Sequence, residues 1–333
     1  MVIQLVTAAL LDFILGDPWG WPHPVQAIGR FISFYSQAAI GAQTRWQLRT
    51  GTMRLLGIGL ACITIAGSAG VCALLLWALG ALSSTLQQVG SVVLLASCFA
   101  GRSLRLSAEA VIAPLINSSR PDLPIARERL GMIVGRDTQQ LEEKGIYRAV
   151  LETVSENAID GVLAPLFYAL LGATVGLAAP VAIAYKAVST LDSMVGYKTA
   201  PYTHLGWFSA RLEDALTWLP CRISVVAIAL LSKRPVKVLS LCGRDAPQDP
   251  SPNAGWSECA YAAALGVQLG GENSYGGKQK FKPLLADAER SITAEVVREA
   301  YQITRWSFLW GLLLGGSGLW AIAFWQGYVE FAS

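Results

Sequence analysis

Charged side chains are scarce in this chain of 333 residues, and their scarcity argues against a soluble globular protein. Asp, Glu, Lys and Arg make up 15% of the sequence, hydrophobic residues make up 53%, and the mean hydropathy is +0.44. This composition, together with long apolar runs, predicts a polytopic membrane protein. The net charge of only +3 indicates no basic surface for DNA or RNA, so we expect no nucleic-acid partner.

Motifs that bind metals or nucleotides through a fixed pattern are also missing. The two histidines exclude a multi-histidine metal site. The loop "GGENSYGGKQ" fails the P-loop pattern, because Glu272 replaces its first glycine and Gln279 replaces its hydroxyl residue. No C-x-x-C pair occurs, and four of the six cysteines lie in apolar runs, so neither a zinc site nor a disulfide framework is expected: Cys62, Cys72, Cys98 and Cys221.

Apolar segments alternate with polar segments along the chain. We predict spans near residues 2–16, 55–82, 89–101, 158–185, 215–231 and 307–325, and polar loops at 17–54, 102–157 and 232–305. The sequence contains no linker that would split it. The predicted fold class is therefore all-α, a single membrane-embedded helical bundle over residues 1–333 with amphipathic helices in its cytoplasmic loops.

Lysines and arginines orient this predicted bundle. The positive-inside rule puts residues 17–54, 101–157 and 232–305 in the cytoplasm. The same count puts residues 186–214 outside. Prolines and glycines interrupt the preceding segment, however, so a re-entrant or broken helix is the alternative.

An acidic stripe enters one of the predicted spans. In "RAVLETVSENAID", Arg148, Glu152, Glu156 and Asp160 are four residues apart and share one face of a helix. One interpretation is a solvated helix face with an Arg–Glu pair. The other is a magnesium site, because acidic groups at the mouth of a span are costly unless a cation neutralises them.

Two further polar segments adjoin predicted spans. In "YKAVSTLDSMVGYK", a helix would place Lys186 and Thr190 on one face and Asp192 elsewhere. A face with a lysine and hydroxyl groups is suited to bind a phosphate. Alternatively, Lys186 and Lys198 only extend to the membrane interface. His23 lies near Asp17 in a proline-rich turn, and a lone histidine is more often structural than catalytic.

Four ordered blocks together resemble a known family. They are "GDPWGWPHPVQAIG", "ETVSENAIDGVLAPLFYALLG", "YKAVSTLDSMVGYKTAPYTHLGWFSARLEDALTWLPCR" and "SPNAGWSECAYAAALGVQLGG", and they fall within residues 12–271. The chain is similar, over most of its length, to the adenosylcobinamide-phosphate synthase family of cobalamin biosynthesis, CobD/CbiB.

This resemblance implies a multi-pass enzyme of the cell inner membrane that uses ATP and Mg²⁺. It would join adenosylcobyric acid, a corrinoid, to aminopropanol or its O-phosphate, giving adenosylcobinamide or its phosphate. The implied partners are these substrates, the lipid bilayer and other cobalamin-assembly enzymes.

Applied to this sequence, the family reaction suggests a role for each polar segment. Glu152, Glu156 and Asp160 would bind magnesium on the nucleotide. The catalytic candidates are Lys186 and Lys198, which would neutralise phosphate, and His23, which would take the amine proton or orient Asp17. The candidates for contacts to ATP or the corrinoid are Ser155, Asn157, Thr190, Asp192, Asn253, Asn273 and Tyr275.

Two other classes of protein fit parts of the pattern. A corrinoid transporter would also place polar residues along its spans, although the sequence has no inverted repeat and few spans. A non-catalytic membrane scaffold for cobalamin-biosynthesis enzymes would tolerate loss of the acidic stripe.

Overall fold

Helices dominate the chain, as the computed structural model shows for residues 1–17, 23–116 and 120–332, with side chains to residue 325. The helices are α1 (Val2–Ile14), α2 (Pro24–Trp46), α3 (Thr50–Leu82), α4 (Ser84–Ala96), α5 (Gly101–Ile116), α6 (Leu123–Gly131), α7 (Glu143–Ala158), α8 (Ala164–Ala173), α9 (Ala178–Val195), α10 (Trp207–Leu231), α11 (Pro235–Asp245), α12 (Ala254–Leu265) and α13 (Ala294–Ala332). A π-helical turn, Ile159–Leu163, joins α7 to α8, and strands β1 (Leu269–Tyr275) and β2 (Lys278–Leu285) form one hairpin.

Five helical stretches of the described chain are long and apolar enough to cross a membrane: Thr50–Leu82, Ser84–Ile116, Glu143–Ala173, Trp207–Leu231 and Ala294–Trp325. Helix α1 is apolar but shorter. The predicted class, a mostly all-α polytopic membrane bundle, is confirmed.

Several boundaries differ from the predicted spans and loops. The predicted span 158–185 lies across two helical stretches. The first begins at Glu143 and ends at Ala173, and the second begins at Ala178. Gly176, between them, has a φ of +76°. The segment 89–101 falls across α4 and the start of α5. The predicted polar loop 17–54 contains helix α2, Pro24–Trp46, which buries residues at intervals of three or four: Ile28, Ile32, Ser36 and Ala39.

The described residues group into two compact units, which are treated separately. Unit 1 comprises residues 1–100, 164–217 and 310–333, and unit 2 comprises residues 101–163 and 218–309. That the chain forms a single domain stays a prediction.

In unit 1, α9 packs against α2, α3, α4 and α8, and α1 packs against α4. Ser83 alone separates α3 from α4, and its hydroxyl accepts a hydrogen bond from the Thr85 amide at 3.2 Å. Helices α3 and α4 therefore form a helical hairpin with a tight turn. An apolar cluster of unit 1 is formed by residues of α2, α3 and α9: Ile28, Ile32, Leu60, Ala61, Ala187, Leu191 and Val195.

Close backbone contact in unit 1 predicts the effect of one substitution. A Cβ atom on Gly57 of α3 would lie 2.0 Å from the Leu205 carbonyl oxygen. Gly57→Ala should therefore lower the free energy of unfolding by about 1–3 kcal/mol. Thermal unfolding of the detergent-solubilised protein measures this. Gly67→Ala is the matched control in the same helix, since its Cβ meets nothing within 4 Å. Equal melting temperatures for the two variants would contradict the prediction.

In unit 2, α7 packs against α5, α6 and α12, and α12 packs against α11 and both strands. The strands pair antiparallel, with Tyr275 opposite Lys278 at the turn. Gly276 and Gly277 have φ of +58° and +76°, as a tight two-residue turn requires. The stretch expected to be a glycine-rich loop is thus mostly paired strand, and it is the exception to the all-α class in the described chain.

Candidate functional site

A cavity of about 370 Å³, here called the charged cavity, opens within unit 2. Its walls come from the segment after α6, from α7, from the approach to α12 and α12 itself, and from the hairpin. Charged and amide side chains predominate in this lining: Arg136, Glu152, Glu156, Asn157, Asp249, Glu258, Asn273, Lys280 and Lys282. A cavity of this size falls in the range of small-molecule sites.

Glu152 is the most heavily bonded acid of the cavity. Its side chain is 2% exposed and pairs with the Arg136 guanidinium. The Gly270 amide donates to Glu152 Oε1 at 3.1 Å, and Arg148 Nε lies 4.0 Å from the same oxygen. A buried carboxylate requires such partners. The Glu152 carboxylate therefore has a structural role, because its partners Arg136 and Gly270 already occupy it.

The two arginines beside Glu152 also fasten the hairpin. Arg148 donates to the carbonyl oxygens of Gly270 and Glu272, each at 2.6 Å. Arg136 donates to Asn273 Oδ1 at 2.7 Å. Strand β1 is consequently fixed against α7 by charge-assisted hydrogen bonds, which are stronger than neutral ones.

Asp137 holds the other end of the hairpin. Its carboxylate accepts from the Ser274 hydroxyl at 2.6 Å and from the amides of Gly276 and Gly277 at 3.0 and 2.8 Å. These bonds lower the pKa of Asp137, with the Ser274 bond contributing most. Because the folded-state pKa is depressed, this contribution is complete above the unfolded pKa of 3.8 and is lost as the pH falls through the folded value.

Asp137→Ala should therefore speed hydrogen exchange at the amides of residues 274–277, because the carboxylate that accepts from this turn is gone. The same acceleration is expected in the wild-type protein as the pH falls below the ordinary range of an aspartate. Hydrogen exchange followed by mass spectrometry measures both, after correction for the intrinsic pH dependence of exchange. Glu128→Ala, an exposed acid on α6, is the control. Unchanged protection in Asp137→Ala would contradict the assigned role.

A second ion pair crosses the cavity between α12 and β2. Lys282 Nζ lies 2.5 Å from Glu258 Oε1 and 3.8 Å from Asp249 Oδ2. Glu258 is fully buried, and its other oxygen, Oε2, has no hydrogen-bond partner among the described residues. Burial raises the pKa of the Glu258 carboxyl to about 8, although the Lys282 ammonium acts in the opposite direction.

Glu156 and Asn157 present the open polar groups of the cavity. Both are exposed, and within the described chain Glu156 makes no ion pair within 4.0 Å. The Asn157 amide donates to the Thr153 carbonyl at 2.9 Å, which leaves its own carbonyl oxygen available. These two oxygen donors can accept a hard cation or a ligand donor without breaking an existing ion pair.

The charged cavity brings together five of the residues predicted from sequence: Glu152, Glu156, Asn157, Asn273 and Tyr275. Three others of unit 2 do not line it. Ser155 is buried and donates to the Leu151 carbonyl at 2.7 Å, and Asn253 is buried at the start of α12. Asp160 lies in the π-helical turn, where the fourfold spacing of the stripe no longer holds.

The three predicted metal ligands do not form one cluster. Among the described residues, no group of three or more His, Cys, Asp or Glu side chains is arranged to hold a metal ion. Glu152 is bound to arginine, and Asp160 does not line the cavity. Any cation held here would therefore need oxygen ligands from a substrate besides Glu156.

The remaining sequence candidates belong to unit 1. His23 Nδ1 accepts from the Val25 amide at 3.2 Å, so Nε2 carries the proton and donates to Asp17 Oδ1 at 3.0 Å. The pair thus fixes the start of α2. Lys186, Thr190 and Asp192 lie on α9, where the Thr190 hydroxyl donates to the Lys186 carbonyl at 2.7 Å, and Lys198 is exposed beyond the end of the helix.

Sequence reasoning missed Arg136, Asp249, Glu258 and Lys282. One of them carried a signal: Glu258 is the only charged residue in α12, whose other side chains are almost all small or apolar. A lone carboxylate in such a helix indicates a buried, partnered charge. The other three lie in polar stretches that carry no comparable signal.

The fold defines a multi-pass helical membrane protein, and its unit 2 contains a charged cavity whose volume falls in the range of small-molecule sites. The chain belongs to the CobD/Cbib protein family, whose model matches residues 5–304.

Named relatives agree with this assignment. The chain is 50% identical to "Cobalamin biosynthesis protein CobD" of Synechocystis sp. over 94% of its own length and 90% of that protein. It is 39% identical to the CobD protein of Halalkalibacterium halodurans, with 96% and 98% covered, and 40% identical to "Cobalamin biosynthesis protein CbiB" of Salmonella typhi, with 91% and 92% covered. No solved structure gives a significant match.

Proposed function

We propose that this protein is an amide-forming ligase of cobalamin biosynthesis in the cell inner membrane. It would use ATP and Mg²⁺ to join adenosylcobyric acid to aminopropanol or aminopropanol O-phosphate. The observation that carries the proposal is the family match over residues 5–304 together with relatives named as cobalamin biosynthesis proteins. The substrates themselves are those that the family resemblance implies.

The charged cavity has the side chains that magnesium and a phosphate group need. Magnesium typically binds one or two protein carboxylates and completes its shell with water and substrate phosphate oxygens. Glu156 is the open carboxylate here, and the next residue of α7, Asn157, also lines the cavity. This sparse ligand set suits a nucleotide-bound ion and is too small for an all-protein metal cage.

The cations of the cavity differ in what they can do for an anion. Arg136 and Lys282 are paired with the buried acids Glu152 and Glu258. They contribute positive charge to the cavity but would have to break an ion pair to bind a phosphate directly. Lys280 is exposed at the rim, with its ammonium 6.0 Å from the centre of the Tyr275 ring. It is the residue that can turn toward a phosphate with the smallest structural cost.

The chemistry follows from these roles. ATP with its magnesium supplies the phosphoryl group that turns an unreactive carboxylate into an acyl phosphate, which an amine can attack. Glu156 and Asn157 would fix the position of the ion, and Lys280 would offset the negative charge of the phosphate. The apolar faces of Phe281 and Pro283 would limit the access of water that could hydrolyse the activated acid.

Reconstitution tests the proposal directly. Purified protein in detergent is incubated with adenosylcobyric acid, ATP, Mg²⁺ and each amine in turn, and mass spectrometry follows the product. We expect a new amide with at least one amine and none when ATP or Mg²⁺ is omitted. Corrinoid uptake into proteoliposomes without amide formation would instead support a transporter, and the absence of both would support a scaffold.

A further inference from the structure

Glu258 combines three properties that bear on ligand binding. It lines the cavity, its side chain is fully buried, and one of its two oxygens is paired while the other has no described hydrogen-bond partner. A buried carboxylate oxygen without a donor is destabilising, because the hydrogen bonds it made to water are lost and not replaced. A ligand that donates a hydrogen bond to Oε2 removes that cost.

The other acids of the cavity are less suited to receive a donor. Glu152 is bound by Arg136 and by the Gly270 amide. Asp249 accepts from the Ser251 amide at 2.8 Å and faces Lys282. Glu156 is exposed, so a donor bound to it would compete with water. Glu258 therefore offers the strongest buried position for a cationic donor.

We propose that Glu258 Oε2 receives the ammonium group of the amine substrate and takes its proton, so that the part of the charged cavity around Glu258 is the amine subsite. This inference rests on the proposed function. In the step, an N–H bond of the ammonium breaks and an O–H bond forms on Glu258. The freed nitrogen lone pair attacks the carbonyl carbon of the acyl phosphate and forms the C–N bond. The C–O bond to phosphate then breaks, and the second proton that the nitrogen must lose leaves on the departing inorganic phosphate.

Lys282 acts as a positioning residue in this arrangement. Its ammonium holds Glu258 Oε1 at 2.5 Å and so fixes the direction of Oε2. The charged groups that surround Glu258 are Lys282 on β2, Glu152 and Glu156 on α7, and Asp249 and Arg136 on the adjoining segments. Burial first, and then the neighbouring acids, raise the pKa of Glu258 and so make it a stronger base toward a substrate ammonium.

Hydroxylamine separates the two halves of the reaction. It is a good nucleophile that is largely uncharged at neutral pH, so it traps an activated carboxylate as a hydroxamate without needing a base. We expect Glu258→Gln to form hydroxamate from adenosylcobyric acid, ATP and Mg²⁺ at close to the wild-type rate. Amide formation with aminopropanol or its O-phosphate should fall by about 10²-fold or more. Hydroxamate formation also shows that the variant is folded.

The pH dependence separates a base from a structural residue. In Glu258→Gln, the residual amide rate should rise with pH, because solvent then supplies more neutral amine, whereas hydroxamate formation should change much less. Glu258→Asp should retain more amide formation than Glu258→Gln, since it keeps the carboxylate. Glu272→Gln, an exposed acid on β1 outside the cavity lining, is the matched control.

Each contrary result has a distinct meaning. Wild-type protein that forms neither hydroxamate nor amide contradicts the proposed function and this inference with it. Glu258→Gln with a wild-type amide rate, or with equal losses in both assays, overturns the inference alone. So does a selective loss of amide formation in His23→Asn with none in Glu258→Gln.

Discussion

Glu156→Gln is expected to lose amide ligation by about 10²- to 10³-fold, the scale of one metal-bound carboxylate in phosphoryl transfer. Glutamine keeps the size of the side chain and removes the negative charge that would bind magnesium. Glu156 is exposed to the cavity and makes no ion pair within 4.0 Å in the described chain, so its replacement leaves no buried charge unpaired. Folding and membrane insertion should therefore be unchanged.

The magnesium dependence identifies the cause of that loss. If Glu156 binds the ion, the Mg²⁺ concentration that gives half-maximal ligation should rise in Glu156→Gln, and high Mg²⁺ should restore part of the rate. Glu272→Gln controls for the loss of one negative charge near the cavity, and its activity should match the wild type. Wild-type turnover by Glu156→Gln at low Mg²⁺ would remove the proposed metal site.

Long apolar runs made most of the helices predictable, because a span must satisfy its backbone internally and so becomes a helix. The structure differs where apolar content is not the deciding factor. Helix α2 contains Arg30 and Arg45 and has a low mean hydropathy, yet its buried stripe of Ile28 and Ile32 makes it a packed element. Periodicity, rather than hydropathy, is the signal that identifies it.

The site was only half accessible to sequence reasoning. Glu152, Glu156 and Asn157 share one helix, so spacing along the chain was enough to group them. Glu258 and Lys282 are 24 positions apart and meet only because β2 lies against α12. The π-helical turn is a further example, since no local pattern indicates that the spacing changes before Asp160. The Glu258–Lys282 pair and the π-helical turn depend on tertiary packing, which local patterns do not encode.

Removal of Arg136 should produce the largest loss of stability of any change discussed. Arg136 and Glu152 are 9% and 2% exposed, so Arg136→Met would leave a buried carboxylate with Arg148 Nε 4.0 Å away and the Gly270 amide as its remaining partners. Breaking a buried pair in this way costs about 3–5 kcal/mol. Because Arg148 compensates in part, we expect a value near the lower end, about 3 kcal/mol, measured by equilibrium unfolding in detergent.

A double-mutant cycle separates the ion pair from the other bonds of these residues. Replacing both partners by apolar side chains is often far less costly than removing one, because no charge is then left unpaired in the interior. Arg136→Met with Glu152→Met should therefore be less destabilised than the sum of the single variants, by about 1–3 kcal/mol. The double variant still loses the bonds to Asn273 and Gly270, so it should not regain wild-type stability. Strict additivity would show that the two side chains are not coupled.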